Sequence, residues 1–330
     1  MSAAIVGRAE AEKAAARIGG HVRRTPVAQA GPGLLLKLEG MQHSGSFKVR
    51  GAFNRILSVM EAGPLPEAGV IAASGGNHGM AVAYAARALG VPAEIFVPEV
   101  CAPVKVEGLR RLGARVVQTG AIYAEAYEAS RKRAAETGAL DIHAYDQPEV
   151  VAGQGTVAVE LLEQAAKLDS DSDSDGESAG AVHDHAPIDT VLVAVGGGGL
   201  VSGIVAALDG RAEVVAVEPE RIPTLHRALA AGEPVEVEVS GVGADALGAS
   251  RIGGLAMEIV PGRLSSVLVT DEAIVAARHA LWRDHRVAAE YAGATALAAL
   301  RSGAYVPREG ERVAVIVCGS NTDPATLLDR

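Results

Sequence analysis

The sequence has few cysteines, few aromatic residues and no long apolar run. Only two cysteines, Cys101 and Cys318, occur among 330 residues, which excludes a disulfide framework and favours a reducing compartment. No apolar run approaches the ~20 residues that span a bilayer, and residues 1–24 interleave charged side chains with alanine, unlike a signal peptide. We therefore expect a cytoplasmic protein with no membrane partner.

The chain also lacks an excess of basic residues. It has 30 Lys and Arg against 40 Asp and Glu, a formal net charge of −10, which argues against a nucleic-acid partner. Six of the acids lie in residues 168–187, which contain no Lys or Arg. A segment of this composition cannot bury enough apolar surface to offset its ordering entropy, so we expect a disordered surface insert there.

Glycine, in contrast, is abundant, with 39 residues. Three glycine-rich turns each follow an apolar run and precede a helical pattern: Ser74–Gly79, Gly196–Gly199 and Cys318–Asn321. In a parallel sheet, the carboxyl ends of the strands share one edge, and α/β proteins bind ligands there. Four successive glycines at a helix N-terminus expose backbone N–H groups that suit a phosphate.

Short apolar runs alternate with alanine-rich stretches, which predicts an α/β fold with crossover connections. The predicted strands are Leu34–Leu38, Val70–Ala73, Ala93–Val97, Arg115–Gln118, Thr190–Val195, Val214–Val217, Val267–Thr270 and Val313–Val317. The predicted helices are Arg8–Gly19, Phe53–Glu61, His78–Leu89, Val104–Leu112, Ala124–Thr137, Thr156–Lys167, Leu200–Leu208, Thr224–Ala231, Asp271–His285 and Gly293–Arg301.

A dinucleotide is the first alternative ligand for Gly196–Gly199. Glu218 follows at about the 20-residue distance of the NAD fingerprint. The glycine spacing fails, however, because Val201 or Ser202 occupies the place of the third glycine. An NAD-dependent oxidoreductase is therefore the less favoured alternative from another class.

The segment Ser44–Ala52, which reads SGSFKVRGA, resembles the cofactor-lysine motif of the fold-type II pyridoxal-phosphate enzymes of the serine/threonine dehydratase family. Ser74–Gly79 is similar to that family's Ser-x-Gly-Asn-His loop, and Gly196–Gly199 to its phosphate-binding tetraglycine. Asp146–Thr156 and the segment beginning at Glu290 also resemble the dehydratases. These motifs stand in the family's order, and the resemblance covers nearly the whole chain outside the acidic insert.

The resemblance implies a two-domain α/β fold of the tryptophan synthase β type, with mostly parallel sheets flanked by helices. The large cofactor-binding domain would comprise residues 1–49 and 148–330, with the disordered insert at 168–187. Residues 50–147 would form the small domain, with the cofactor between the two. The family expectation is a homodimer.

The resemblance also assigns the cofactor site. Lys48 is the catalytic residue and holds pyridoxal 5'-phosphate as a Schiff base, with Phe47 packed on the pyridine ring. Asn77 donates to the phenolic oxygen, and Cys318 places a neutral group beside the pyridine nitrogen. The phosphate is held by the tetraglycine: Gly196, Gly197, Gly198 and Gly199. A thiol cannot stabilise a pyridinium as a carboxylate would, which favours loss of a β-leaving group over transamination-type side reactions.

Ser74 and the helix start at His78 are candidates for binding a substrate carboxylate, with the helix dipole adding a favourable contribution. Arg133 is a weaker candidate. Glu218 is the candidate ligand for a mono- or divalent cation, although Thr224 stands where some relatives carry an aspartate. Loss of that cation site and an ordinary strand-end role for Glu218 both remain open.

The implied reaction is the dehydration and deamination of a 3-hydroxy amino acid to a 2-keto acid and ammonia, as in threonine and serine ammonia-lyases. L-Threonine, L-serine, hydroxyaspartate and phenylserine all remain possible substrates. The alternative within the family is a serine racemase, which carries a second acid–base serine immediately before the Gly-Asn of the loop. Gly75 stands there and cannot exchange a proton, which favours elimination over racemisation.

Overall fold

The computed structural model describes residues 6–173 and 187–328. The strands are β1 (Val27–Gly31), β2 (Leu34–Leu38), β3 (Val70–Ala73), β4 (Ala93–Val97), β5 (Arg115–Gln118), β6 (Leu140–Asp141), β7 (Thr190–Ala194), β8 (Glu213–Pro219), β9 (Ser265–Val269) and β10 (Val313–Val317). The helices are α1 (Arg8–Ile18), α2 (Lys48–Ala62), α3 (Asn77–Ala88), α4 (Pro103–Arg111), α5 (Tyr123–Thr137), α6 (Pro148–Asp173), α7 (Gly199–Leu208), α8 (Thr224–Ala231), α9 (Ala244–Leu247), α10 (Gly254–Ile259), α11 (Asp271–His285) and α12 (Tyr291–Ser302). Among these described helices, none is long and apolar enough to cross a bilayer.

The larger sheet has six strands in the order β1-β2-β10-β7-β8-β9. Neighbours are parallel except for the antiparallel pair β1 and β2. The central strands β7 and β10 are buried along their whole length, as their continuous apolar sequences predict. Val191 and Val193 pack into one apolar cluster with α6 and α7, whereas Leu192 packs into another with α11 and α12. Helices therefore cover both faces.

The smaller sheet has four parallel strands in the order β5-β4-β3-β6. Its strands all come from within residues 50–147, whereas the strands of the six-stranded sheet come from outside that range. The helix α2 packs against both α3 of the smaller unit and α6 of the larger one. The domain boundaries themselves stay a prediction.

The largest departures from the predicted elements occur in α2 and α6. The helix α2 begins at Lys48 instead of Phe53, and α6 begins at Pro148 instead of Thr156. Glycines near each helix start obscure it in the sequence. In α6, for example, Gly153 and Gly155 suggest a loop. In the structure they permit close helix packing instead: an added Cβ would lie 2.7 Å from the carbonyl oxygen of Arg50 at Gly153, and 2.7 Å from that of Gly203 at Gly155.

The helix α6 also corrects the predicted start of the acidic insert. Residues 168–173, expected in a disordered loop, are the last residues of this helix. Leu168 packs against the apolar cluster of the larger sheet, which extends the helix beyond its predicted end. Residues 174–186, the rest of the predicted insert apart from Pro187, lie outside the described residues.

Candidate active site

The three glycine-rich turns follow β3, β7 and β10, and a cleft lies where they meet the start of α2. The cleft is lined by Phe47, Lys48, Asn77, Tyr145, Ala194, Val195, Gly196, Gly197, Gly198, Gly199, Leu200, Val201, Ala246, Leu247, Glu290, Ala292 and Cys318. The structure thus brings together all the residues that the sequence assigned to the cofactor. Their individual roles stay predictions.

Lys48 is the first residue of α2, and its amine lies in the cleft. Its Nζ donates to the carbonyl oxygen of Ala144 at 2.9 Å and lies 5.2 Å from the centre of the Phe47 ring. Burial lowers the pKa of Lys48 to about 8, against the opposing charges of Cys318 and Glu290. Because a neutral amine is the nucleophilic form, this environment favours covalent chemistry at Nζ.

The turn after β10 holds the segment that precedes Lys48. The backbone N–H of Phe47 donates to the carbonyl oxygen of Cys318 at 3.2 Å, and Asn321 Nδ2 donates to the carbonyl oxygen of Ser44 at 2.8 Å. Ser44 adopts a left-handed conformation with φ of 58°, which is uncommon for a residue with a side chain. These contacts fix the position of the first residue of α2 and therefore the position of the Lys48 Cα atom.

Asn77 belongs to a hydrogen-bonded chain of three side chains at the cleft. Its Nδ2 donates to Glu290 Oε1 at 2.6 Å, and its Oδ1 accepts from Asn321 Nδ2 at 2.6 Å. Burial raises the pKa of Glu290 to about 7, and the Asn77 hydrogen bond opposes that rise. Both neighbours orient the amide of Asn77. Sequence reasoning named Glu290 only through its motif and missed Asn321, which no local pattern connects to Asn77.

The tetraglycine forms a cradle at the N-terminus of α7. Gly198 has φ of +97°, a conformation that favours glycine. A Cβ on Gly197 would lie 2.2 Å from the Tyr145 ring, and one on Gly199 would lie 2.9 Å from the Tyr145 Cα. Within the described part of the chain, the N–H groups of Gly197 and Gly198 donate to no protein acceptor. These free donors at a helix N-terminus fit an anionic group such as a phosphate.

Cys318 is nearly inaccessible, with 4% of its surface exposed, and it forms no disulfide. Burial raises the pKa of its thiol, so the group stays neutral over the physiological pH range. The cleft therefore presents a neutral sulfur, and not a carboxylate, at the position where the sequence placed the pyridine nitrogen.

Ser74 and His78 stand on either side of the start of α3. Ser74 Oγ accepts from the N–H of Gly76 at 3.2 Å, and His78 Nε2 donates to the carbonyl oxygen of Ile142 at 2.8 Å. Burial, together with the charge of Lys48, lowers the pKa of His78 to about 3, so its ring is neutral. The His78 side chain thus joins α3 to the end of β6.

Four predicted site residues do not line this cleft: Ser74, His78, Arg133 and Glu218. Arg133 in α5 is 40% exposed and pairs with Glu94, with Nε 3.1 Å from Oε2. Glu218 on β8 is fully buried, and its two oxygens accept from the N–H groups of Leu225 and His226 at the start of α8, at 2.7 and 2.8 Å. Burial raises the pKa of Glu218 to about 7. No group of three or more His, Cys, Asp or Glu suited to a metal ion occurs within residues 6–173 and 187–328.

Sequence reasoning also missed Tyr145 and Asp146, which lie beside the tetraglycine. The Tyr145 ring lies against Gly197, and the Asp146 carboxylate accepts from the N–H groups of Gly254 and Leu255 at 3.1 and 2.9 Å, at the start of α10. The only local signal was the resemblance of Asp146-Gln147-Pro148 to the dehydratases. That signal does not show that the preceding tyrosine reaches the tetraglycine.

Comparison with known proteins identifies the family. A profile described as pyridoxal-phosphate dependent enzyme matches residues 18–319. The chain belongs to this family. An L-threonine ammonia-lyase from Thermotoga maritima is 35% identical, with 90% of this chain and 69% of that protein aligned. A phenylserine dehydratase from Ralstonia pickettii is 34% identical, with 94% of this chain and 92% of that protein aligned.

A solved structure, that of maize serine racemase, superposes with a TM-score of 0.85 at 31% identity, covering 98% of this chain and 96% of that chain. Membership in the pyridoxal-phosphate dependent family confirms the predicted fold class and the predicted cofactor. The cradle at Gly196–Gly199 and the low pKa of Lys48 fit a cofactor that carries both a phosphate and an aldehyde.

Proposed function

We propose that this protein is a pyridoxal-phosphate dependent carbon–oxygen lyase that converts a 3-hydroxy amino acid to a 2-keto acid and ammonia. The observation that carries the proposal is the Lys48 amine, which has a pKa lowered to about 8 and shares a cleft with the tetraglycine. The similarity to an L-threonine ammonia-lyase and a phenylserine dehydratase supports a hydroxy amino acid as the substrate. L-Threonine and L-serine are the first candidates.

The proposed chemistry divides between the cofactor and the chain. Bound pyridoxal phosphate would supply an aldehyde that joins an amine and a ring that withdraws electrons from the substrate's α-carbon. Lys48 would hold the cofactor covalently through Nζ. As a free amine, the same Nζ would accept the α-proton as a general base, and its lowered pKa increases the fraction of neutral amine near neutral pH.

The remaining cleft residues bind and orient. The N–H groups of Gly197 and Gly198 would hold the phosphate, and Asn77 is held in place by Glu290 and Asn321. The start of α3, with Ser74 beside it, would bind the substrate carboxylate through backbone N–H groups and the helix dipole. The β-hydroxyl would leave as water, with the proton removed from the α-carbon balancing the departing hydroxide, and hydrolysis of the released enamine would yield the keto acid and ammonia.

Three finer proposals go with this function. We propose a cytoplasmic location, which two free cysteines support, and a homodimer, which light scattering of the purified protein would test. A cation at Glu218 is the third. Because both oxygens of Glu218 already accept backbone N–H groups, an ion would have to compete with them, and activity after chelation and after addition of Mg²⁺ or K⁺ would test it.

The direct experiment is a substrate panel on the cofactor-loaded protein. L-Threonine, L-serine, 3-hydroxyaspartate and 3-phenylserine are each supplied, and 2-keto acid, ammonia and D-amino acid are measured. We expect keto acid and ammonia in equal amounts from at least one substrate and from none with Lys48→Ala. Loaded protein that releases no keto acid from any of the four would contradict the lyase proposal, and D-serine as the main product would replace it with a racemase.

A further inference from the structure

A side chain at position 75 would meet a neighbouring side chain and not the backbone. Gly75 lies in the turn between β3 and α3, and its φ is outside the left-handed region. A Cβ added there would lie 2.6 Å from Cys101 Sγ and 3.6 Å from Val97 Cγ1. Carbon and sulfur atoms that are not bonded do not approach to 2.6 Å without displacement. The sulfur of Cys101 therefore occupies the space that any side chain at position 75 needs.

Cys101 is held in this place from two sides. Its N–H donates to the carbonyl oxygen of Pro98 at 2.9 Å, and its side chain packs against the apolar cluster of the smaller sheet. One turn further along the chain, Lys105 in α4 forms an ion pair with Asp245 in α9. This exposed ion pair joins α4 of the smaller unit to α9 of the larger one, close to the segment that carries Cys101.

We propose that Cys101 is a specificity-determining residue that keeps position 75 free of an acid–base side chain. Position 75 follows Ser74, which together with the start of α3 is the proposed site of the substrate carboxylate, so a hydroxyl there would stand near that site. With that space filled by sulfur, Lys48 is the only group assigned to exchange the α-proton, and its removal leads to loss of the β-substituent. A racemase-type serine at position 75 then requires that the Cys101 sulfur be removed or displaced. The catalytic part of this inference rests on the proposed function, whereas the steric part does not.

The steric part is tested by a cycle of four proteins: wild type, Gly75→Ser, Cys101→Ala and the double variant. Since overpacking a filled site destabilises it, we expect Gly75→Ser to lower the Tm by about 5 °C. Cys101→Ala alone should change the Tm by about 2 °C or less, and in the double variant most of the loss should be recovered. Gly76→Ser is the matched control, because a Cβ at Gly76 meets nothing nearer than Ser74 Oγ at 4.0 Å. Its effect on Tm should not depend on Cys101→Ala.

The catalytic part uses the same loaded proteins with L-serine in D₂O, measuring D-serine and α-deuterated serine relative to keto acid. We expect this ratio to be similar in wild type and Cys101→Ala, and at least about tenfold higher in the double variant. Additive Tm effects would overturn the inference, as would racemisation by Gly75→Ser alone with an unchanged Tm. D-serine made by wild type and lost in Cys101→Ala would also overturn it, because the thiol itself would then be the second acid–base group. A wild type without keto-acid release would refute the proposed function, while the Tm cycle would still decide the steric part.

Discussion

Lys37 and Lys48 are both lysines whose pKa is lowered by burial, yet their surroundings differ in kind. Lys37 on β2 is fully buried, and its Nζ donates to Glu160 Oε1 at 2.6 Å, Gln164 Oε1 at 2.6 Å and the carbonyl oxygen of Thr25 at 2.9 Å. Lys48 meets one carbonyl oxygen and an aromatic ring. Both lysines are thus buried, and Lys37 differs from Lys48 in having a carboxylate within hydrogen-bond distance of its amine.

The carboxylates around Lys37 belong to a balanced network. Arg50 donates to both oxygens of Glu39 at 2.8 Å and to Glu160 Oε2 at 3.1 Å, so two buried cations share two acids. These contacts join β2, α2 and α6. Carboxylates beside a buried lysine oppose the lowering of its pKa and favour its charged form, whereas a buried lysine without such partners becomes neutral more easily and is available for chemistry.

The first way to break this comparison is Lys48→Ala. We expect keto-acid release to fall by at least about 10³-fold, because both the covalent attachment and the α-proton acceptor are lost. The Tm of the cofactor-free protein should fall little, since Lys48 makes one hydrogen bond to a carbonyl oxygen. Keto-acid assays and thermal unfolding of the same preparation check the predicted loss of activity and the predicted small change in Tm. A variant that retained activity would show that another group performs the chemistry.

The converse change is Lys37→Met. It removes one of the two buried cations that share Glu160 and Glu39, and breaking a buried ion pair in this way costs about 3–5 kcal/mol. Urea unfolding should show that loss in the free energy of unfolding. The kcat of the folded, cofactor-loaded fraction should stay within about threefold of wild type, because Lys37 does not line the cleft. A large loss of kcat with unchanged stability would show that Lys37 serves catalysis and not stability.

Gly197→Ala tests the cradle that Lys48 faces. The new Cβ would lie 2.2 Å from the Tyr145 ring, so either the ring or the turn must shift. We expect the affinity for pyridoxal phosphate to fall by about 10²-fold, on the order of 3 kcal/mol, as measured by cofactor titration. Gly108→Ala in α4 is the matched control, since a Cβ there meets nothing within 4 Å, and equal losses in the two variants would argue against a phosphate cradle.

The smallest expected effect is the pH dependence of cofactor uptake by the apoprotein. With its pKa lowered to about 8, Lys48 gains neutral amine as the pH rises through 8, whereas an ordinary lysine does so near ~10.4. At pH 7 about one amine in ten is then neutral. The rate of uptake, followed by absorbance, should therefore rise about fivefold to tenfold from pH 7 to 9 and then level off. A rate still rising steeply beyond pH 9.5 would place the pKa of Lys48 near its ordinary value.

Sequence reasoning located the strands well where apolar residues were continuous. The predicted bounds of Leu34–Leu38, Ala93–Val97 and Val313–Val317 agree with the structure, because strands covered by helices on both faces need apolar residues throughout. The pattern missed β1, whose five residues are only partly buried or exposed, and β6, which has two residues. Such edge strands leave little trace in hydrophobic periodicity.

The site was predictable as far as its motifs are local. Lys48, Asn77, Gly196–Gly199 and Cys318 stand in short motifs, and the structure brings them into one cleft. Contacts between distant segments were not predictable, such as Tyr145 over Gly197 and Asn321 on Asn77. The contact of Cys101 with position 75 belongs to the same class, since it depends on how the turn after β4 packs beside the turn after β3.

The most direct test of the division between the two lysines is reduction of the cofactor-loaded protein with borohydride, followed by peptide mapping by mass spectrometry. The structure predicts that the pyridoxyl phosphate group is found on the peptide containing Lys48 and that the peptide containing Lys37 is unmodified. Modification of Lys37 or of another lysine, or no covalent cofactor in a protein that retains keto-acid release, would contradict the assignment.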